Sequence, residues 1–382
     1  MRYITDSNEL THICQQLSTA EFITVDTEFL RDRTYYSRLC LVQLSGPDQK
    51  SFLIDTLTDI DLSPLWELLT EKPVLKIFHA AKQDLEIIYQ KSGKMVAPLF
   101  DTQIAAMVCG FGDQVGFDSL VHEVTGNRPD KSSQFTDWSR RPLSPKQLNY
   151  AADDVRLLVD VYRYLNKKLN QTGRSDWVRE EIEYLTDPTT YDQHPHLAWQ
   201  RLKVKSAKPR DLIALQALAE WREIEAQQKD VPRARILKDE TLLDLAYQRP
   251  QTPEELGGIR AITPDMARGK FGKLILDVLN KASQTPPETA PTLPAKKFLH
   301  ARYAASAEML KVLLKIIANK ENMASKLIAD TDDIEEFVQS PDGDHNINKG
   351  WRFEIFGNVA HKLLRGEIAL TLRDNQITIL DL

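Results

Sequence analysis

The run FITVDTEF (22–29) sets two carboxylates, Asp26 and Glu28, inside a segment whose β-branched and aromatic residues read as a strand. Side chains two apart on a strand leave the same face, so both acids project together near the strand's C-terminal end. Like charges a few ångströms apart repel and raise each other's pKa. A fold built on this strand must therefore give its acidic face counter-charge or solvent. Two further segments add to the acidity: HAAKQDLEII carries Asp84, and NYAADDVRLL carries Asp154.

The surrounding pattern assigns these segments to elements of one α/β domain. LCLVQLS (39–45), KSFLIDT (50–56) and VLKIFHA (74–80) read as strands, with GPDQ as a turn between the first two. AAKQDLEIIYQKSG (80–93) has helical spacing and ends at Gly93, a C-cap residue. DTQIAAMVCG (101–110) reads as a helix opened by an Asp cap. SPKQLNYAADDVRLLVDVYRYLNKKL (144–169) reads as a long helix with Ser144 as cap and Pro145 at its first position. Early strands with interspersed helices predict a mixed sheet flanked by helices. After about residue 190 the pattern becomes helical, beginning with the amphipathic DLIALQALAEWREIEAQQKD (211–230). SQTPPETAPTLPA (283–295) reads as an extended linker. A second helical segment follows it, closing in ITILDL, a candidate strand.

On the long helix Tyr150 and Asp154 are four apart and share a face, with Asp153 the local competitor for Asp154. Carboxylates from three elements suit hard cations, which prefer oxygen ligands. Two such cations, held roughly 4 Å apart, are the standard apparatus for hydrolysing a phosphodiester. A tyrosine hydroxyl beside them would orient or deprotonate the attacking water. The residues thus point to a metal-dependent nuclease using Mg²⁺ or Mn²⁺. Zinc does not fit, because no Cys/His set accompanies the acids. Cys14, Cys40 and Cys109 form no CxxC pair, which fits a reducing cytoplasm. MRYITDSNEL lacks the apolar core of a signal peptide, and no apolar run is long enough to span a bilayer. Net charge is −6, so nucleic-acid binding would rest on local basic stretches.

The order DTEF, HAAKQDLE, YAADD resembles the three exonuclease motifs of the DEDD superfamily, and the tyrosine four before the last aspartate marks its DEDDy branch. DKSSQFTDWSRRPLSPKQLNYAADD is similar to the stretch leading into the third motif of the ribonuclease D family. LQALAEWREIEAQQKDVPRARILKDETLLDLA (215–246) with PQTPEEL (250–256) looks like an HRDC domain, and a divergent copy is expected around 307–357. The resemblance implies a ribonuclease-H-like exonuclease domain over 1–190, a first HRDC domain over 208–288 and a second HRDC-like, all-α domain over 296–376. It implies 3′→5′ exonucleolysis releasing nucleoside 5′-monophosphates, with RNA bearing a free 3′ end, such as a tRNA precursor, as partner. It makes Asp26, Glu28, Asp84 and Asp154 the ligands of two metal ions and Tyr150 the residue that positions water. Asp153 is passed over because the motif places its aspartate at the fourth position.

Substrate contacts are expected from Thr27 and Phe29 beside the first ligands, His79 before Asp84, and Lys131, Gln134, Trp138 and Arg141 ahead of the third motif. Phe29 and Trp138 are more often packing residues, and His79 reads at least as well as a structural histidine. RLKVKSAKPR (201–210) and VPRARILK (231–238) offer basic surface for phosphates. A monomer is expected. Two alternatives stay open: a DNA-directed exonuclease of the same superfamily, separated only by how the 2′-OH is met, and a non-catalytic RNA-binding protein.

Overall fold

The computed structural model describes residues 1–204, 207–293, 298–374 and 376–382. Lys205 and Ser206 of the basic stretch 201–210, the end of the expected linker at 294–295, and the expected boundary at 296 lie outside the described residues.

Two compact units divide the chain. One comprises Met1–Glu28, Leu39–Thr190 and Lys297–Leu382; the other comprises Phe29–Arg38 and Tyr191–Lys296. In the first, strands β1 (Arg2–Ile4), β2 (Phe22–Leu30), β3 (Arg38–Ser45), β4 (Ser51–Asp55), β5 (Leu75–Phe78) and β6 (Leu99–Asp101) form a mixed sheet in the order β1-β4-β3-β2-β5-β6. β3 and β4 pair antiparallel, whereas β1–β4, β2–β5 and β5–β6 are parallel. Helices α1 (Ser7–Ser18), α2 (Ser63–Thr70), α3 (Lys82–Ser92), α4 (Thr102–Val108), α5 (Phe117–Thr125), α6 (Pro145–Thr172) and α7 (Ser175–Leu185) accompany it. This is the mixed, helix-flanked sheet that the sequence pattern predicts. The three-residue strands β1 and β6 are too short to carry a periodic signal.

α6 lies across the sheet and is tied to it by hydroxyls. The Thr24 hydroxyl donates to the Val155 carbonyl at 2.7 Å, and that of Ser51 to the Ala152 carbonyl at 3.0 Å. Ser144 caps the helix with a reciprocal box through Gln147, and Pro145 opens it. Gly93 ends α3 in the left-handed conformation, at φ +71°.

The C-terminal segment packs within this same unit. Its helices include Ala304–Glu321, Thr331–Gln339 and Asn358–Leu364. The Ala324 N–H donates to the Met107 carbonyl at 2.9 Å. Arg174 donates to the Glu321 carboxylate and carbonyl, each at 2.6 Å. Trp177 and Trp351 stack with centroids 4.8 Å apart, and Arg352 pairs with Glu181 at 2.6 Å. The expectation of an all-α segment to residue 376 is corrected. Ile368–Arg373 (β7) pairs antiparallel with Gln376–Asp381 (β8) as a two-stranded hairpin. The apolar alternation of Ile368, Leu370 and Leu372 supplies the strand period.

In the second unit, helices Pro209–Lys229, Asp239–Gln248 and Lys270–Ser283 enclose a core that includes Leu215, Leu218, Leu242, Leu245, Ile275 and Leu279. The segment after β2 is anchored here. The backbone N–H groups of Tyr35 and Tyr36 both donate to Asp230 at 3.0 Å, and the Arg233 guanidinium lies 4.7 Å over the Tyr35 ring. Ser283 ends the helix Lys270–Ser283, and a 3₁₀ turn follows at Pro287–Thr289 within the proline-rich stretch. Among the described residues no helix is long and apolar enough to cross a membrane.

Candidate active site

β2 carries Asp26 and Glu28, and α6 delivers Asp154 above it. Carboxylate oxygens of these three residues lie within 4.8 Å of one another. Asp84 enters from the first turn of α3, and its carboxylate accepts the hydroxyl of buried Thr27, which lies between the two β2 acids. The Tyr150 hydroxyl donates to Asp154, as their spacing on one helix allows. A cavity of about 110 Å³ opens among Asp26, Tyr150, Asp154, His79, Phe117 and Leu158.

Burial and mutual repulsion dominate the electrostatics. Burial raises Glu28 to about 10, with Asp26, Asp154 and Asp84 adding to the rise. Burial lifts Asp26 to about 6, against the backbone N–H of Thr27. Asp84 and Asp154 are held well above the ordinary carboxylate range, each by burial first and by Asp26 second. Tyr150 is raised too, by burial and then by Asp154, Glu28 and Asp26, so its phenol keeps its proton. The acids that surround Glu28 make an uncompensated, all-oxygen donor set. That chemistry fits a hard divalent cation, which would replace the protons these groups otherwise retain.

The turn that presents Asp84 is fastened by Asp101 and Thr102. One Asp101 carboxylate accepts the N–H groups of Ala80 at 3.2 Å and Ala81 at 2.8 Å, and also those of Gln103 at 2.7 Å and Ile104 at 3.4 Å. It thereby caps α4 and pins the residues just before α3, including Ala80 at φ +58°. The Thr102 hydroxyl donates to the Phe78 carbonyl at 2.9 Å. The sequence shows Asp101 as a helix cap; its hold on Ala80 and Ala81, about twenty residues away, is a tertiary contact with no local signature.

The remaining predicted residues divide. His79 lines the cavity, but its ring nitrogens meet the Thr102 hydroxyl at 3.0 Å and the Val115 carbonyl at 3.1 Å, so both are engaged within the fold. Phe29 continues β2 and is partly buried. Trp138 is buried with its ring 6.0 Å from that of Tyr150, as a packing support. Lys131 pairs with Asp118 at 2.5 Å, and Gln134 is exposed. Arg141 spends all five of its N–H donors internally: two on Asp55 at 2.6 Å and three on the carbonyls of Trp138, Arg140 and Cys40. No donor is left there for a phosphate.

Comparison with known proteins agrees over the whole length. Residues 1–170 match the family described as 3′-5′ exonuclease, and residues 211–279 match the HRDC domain. A Nitrobacter hamburgensis protein named ribonuclease D is 43% identical over 378 residues, spanning 99% of this chain and 98% of its own. The ribonuclease D of Jannaschia sp. is 43% identical over 382 residues, with 99% of each chain covered. The crystal structure of Escherichia coli RNase D, described as an exoribonuclease involved in structured RNA processing, is similar with a TM-score of 0.81. It is 29% identical and covers 95% of this chain and 98% of its own.

Proposed function

The chain belongs to the ribonuclease D family, and from that premise we propose how its acidic cluster works as a 3′-5′ exoribonuclease, a phosphodiester hydrolase. The observation that carries the reading is the convergence of Asp26, Glu28 and Asp154 within 4.8 Å, with Tyr150 bonded to Asp154. We assign Asp26, Glu28, Asp84 and Asp154 to the binding of two Mg²⁺ or Mn²⁺ ions. When bound, such ions supply a nucleophilic water at neutral pH and neutralise charge on the phosphate.

The chain's own residues do the rest. Thr27 fixes the Asp84 carboxylate through its hydroxyl, and Asp101 and Thr102 fix the turn from which Asp84 springs. Tyr150, hydrogen-bonded to Asp154, is the residue that positions the attacking water. Trp138 backs the Tyr150 ring. Thr27, Phe29, His79, Lys131 and Gln134 are the proposed surroundings of the terminal nucleotide. The products are nucleoside 5′-monophosphates.

The proposed substrate is a structured RNA with a free 3′ end, a tRNA precursor among them; the E. coli relative's role in structured RNA processing supports it. We assign the chain three sequence segments: exonuclease 1–190, HRDC 208–288, and a second, divergent HRDC-like segment 296–376. We propose that it acts as a monomer. Three buried free cysteines support a reducing cytoplasm.

The test is a time course on 5′-labelled RNA with a 3′ overhang and on the matching DNA, with Mg²⁺, with Mn²⁺ and with chelator. RNA shortening from its 3′ end, abolished by chelator and by Asp154→Asn, is expected. Faster loss of DNA would move the chain to the DNA-directed branch. RNA binding without digestion would leave only a binding protein.

A further inference from the structure

Phe135 is 93% exposed, an unusual place for a phenylalanine in a chain whose other phenylalanines largely pack. Leaving such a ring in water forgoes about 2 kcal/mol of burial. Its neighbours in sequence, Ser132, Ser133, Gln134, Thr136 and Asp137, are polar. An accessible aromatic face flanked by polar residues suits a planar ring better than a broad protein surface.

The loop that displays Phe135 bridges two walls of the catalytic cavity. At one end Lys131 pairs with Asp118 of α5 at 2.5 Å, one residue from Phe117, which lines the cavity. At the other end the Thr136 hydroxyl accepts the Gln147 amide of α6 at 3.1 Å, one turn before Tyr150. Trp138, three residues past Phe135, packs 6.0 Å from the Tyr150 ring. Anchored on both sides, the loop ties the segment that carries Phe135 to the two helices that give Phe117 and Tyr150 to the cavity.

We propose that Phe135 is a base-stacking platform: it takes an unpaired nucleobase of the RNA upstream of the scissile bond, with no preference among bases. Every base offers a π-face, so stacking grips a strand without reading it. This inference rests on the exoribonuclease reading above.

The test compares the whole chain with Phe135→Ala, Phe135→Leu and Phe135→Trp on single-stranded RNA, including oligonucleotides with one abasic ribose at successive positions from the 3′ end. Phe135→Ala is expected to raise KM about tenfold with a much smaller change in kcat, a shift equivalent to about 1.4 kcal/mol. Phe135→Trp should restore KM, whereas Phe135→Leu, apolar but not aromatic, should not. One abasic position should raise KM for the natural chain by a similar factor and add nothing in Phe135→Ala. A KM for Phe135→Ala within twofold of the natural chain overturns the proposal, as do abasic and Phe135→Ala effects that multiply at every position. A natural chain that fails to shorten RNA from its 3′ end defeats the underlying reading instead, and this one with it.

Discussion

Asp26 is the residue on which the other acids depend: its charge raises Glu28, Asp84 and Asp154 alike. The site is therefore bought with folding energy, and removing that charge should return some of it. In metal-free protein Asp26→Asn is expected to raise the unfolding midpoint, by on the order of 1 kcal/mol in stability, while abolishing digestion. Calorimetry in chelator measures this, and a lowered midpoint would show that the repulsion is relieved some other way. Asp26 with Glu28, and Tyr150 with Asp154, were legible because their relations are local: two residues apart on a strand, four apart on a helix; Asp84 stood alone on its helix and was reached only through the motif resemblance. Asp101 was half legible, since capping is local and its grip on Ala80 and Ala81 is not. Arg141 looked like a phosphate ligand because a sequence does not show Asp55 and three carbonyls converging on it. Phe135 went unnoticed because nothing in its local pattern separates an exposed phenylalanine from a core one.

At the scale of elements, the long strands and helices followed their periodicity closely, as with β2 and α6, and the ITILDL strand was legible as β8, while the three-residue strands were too short to show and β7 was absorbed into a helical reading. β5 holds a contrary feature. Lys76 is fully buried between β2 and the edge strand β6, and its ammonium donates to the carbonyls of Lys72 and Ala97. Burial lowers its pKa to about 8. Between about 8 and the ordinary lysine value, the unfolded chain binds more protons than the folded one, so this group's contribution to stability rises with pH across that window. Lys76→Met removes the titration. Its midpoint, compared with that of the natural chain, should be relatively highest at pH 7.5 and lose ground by pH 10. Parallel midpoint curves over that range would show that Lys76 does not carry the effect.

For the whole molecule, the informative fact is that residues 297–382 complete the same compact unit as the nuclease sheet. Arg352 and Glu181 pair there with little exposure, and burial raises Glu181 while Arg352 holds it down. Truncating one partner leaves the other charge stranded. Arg352→Ala is expected to destabilise by about 3 kcal/mol, and adding Glu181→Gln should recover part of that loss. Denaturant titration decides it; an unchanged midpoint in Arg352→Ala would mean the pair contributes nothing.

The same arrangement has a consequence for a chain being made on the ribosome. The carbonyl of Met107 and the face of Trp177 wait for Ala324 and Trp351. About 170 residues, those of the other unit among them, are translated between Trp177 and Trp351. At typical elongation rates that delay lasts roughly 9–35 s. A nascent chain thus spends that interval with its acidic sheet formed and one flank uncovered, a window in which chaperones or misassembly would compete for α4 and α7.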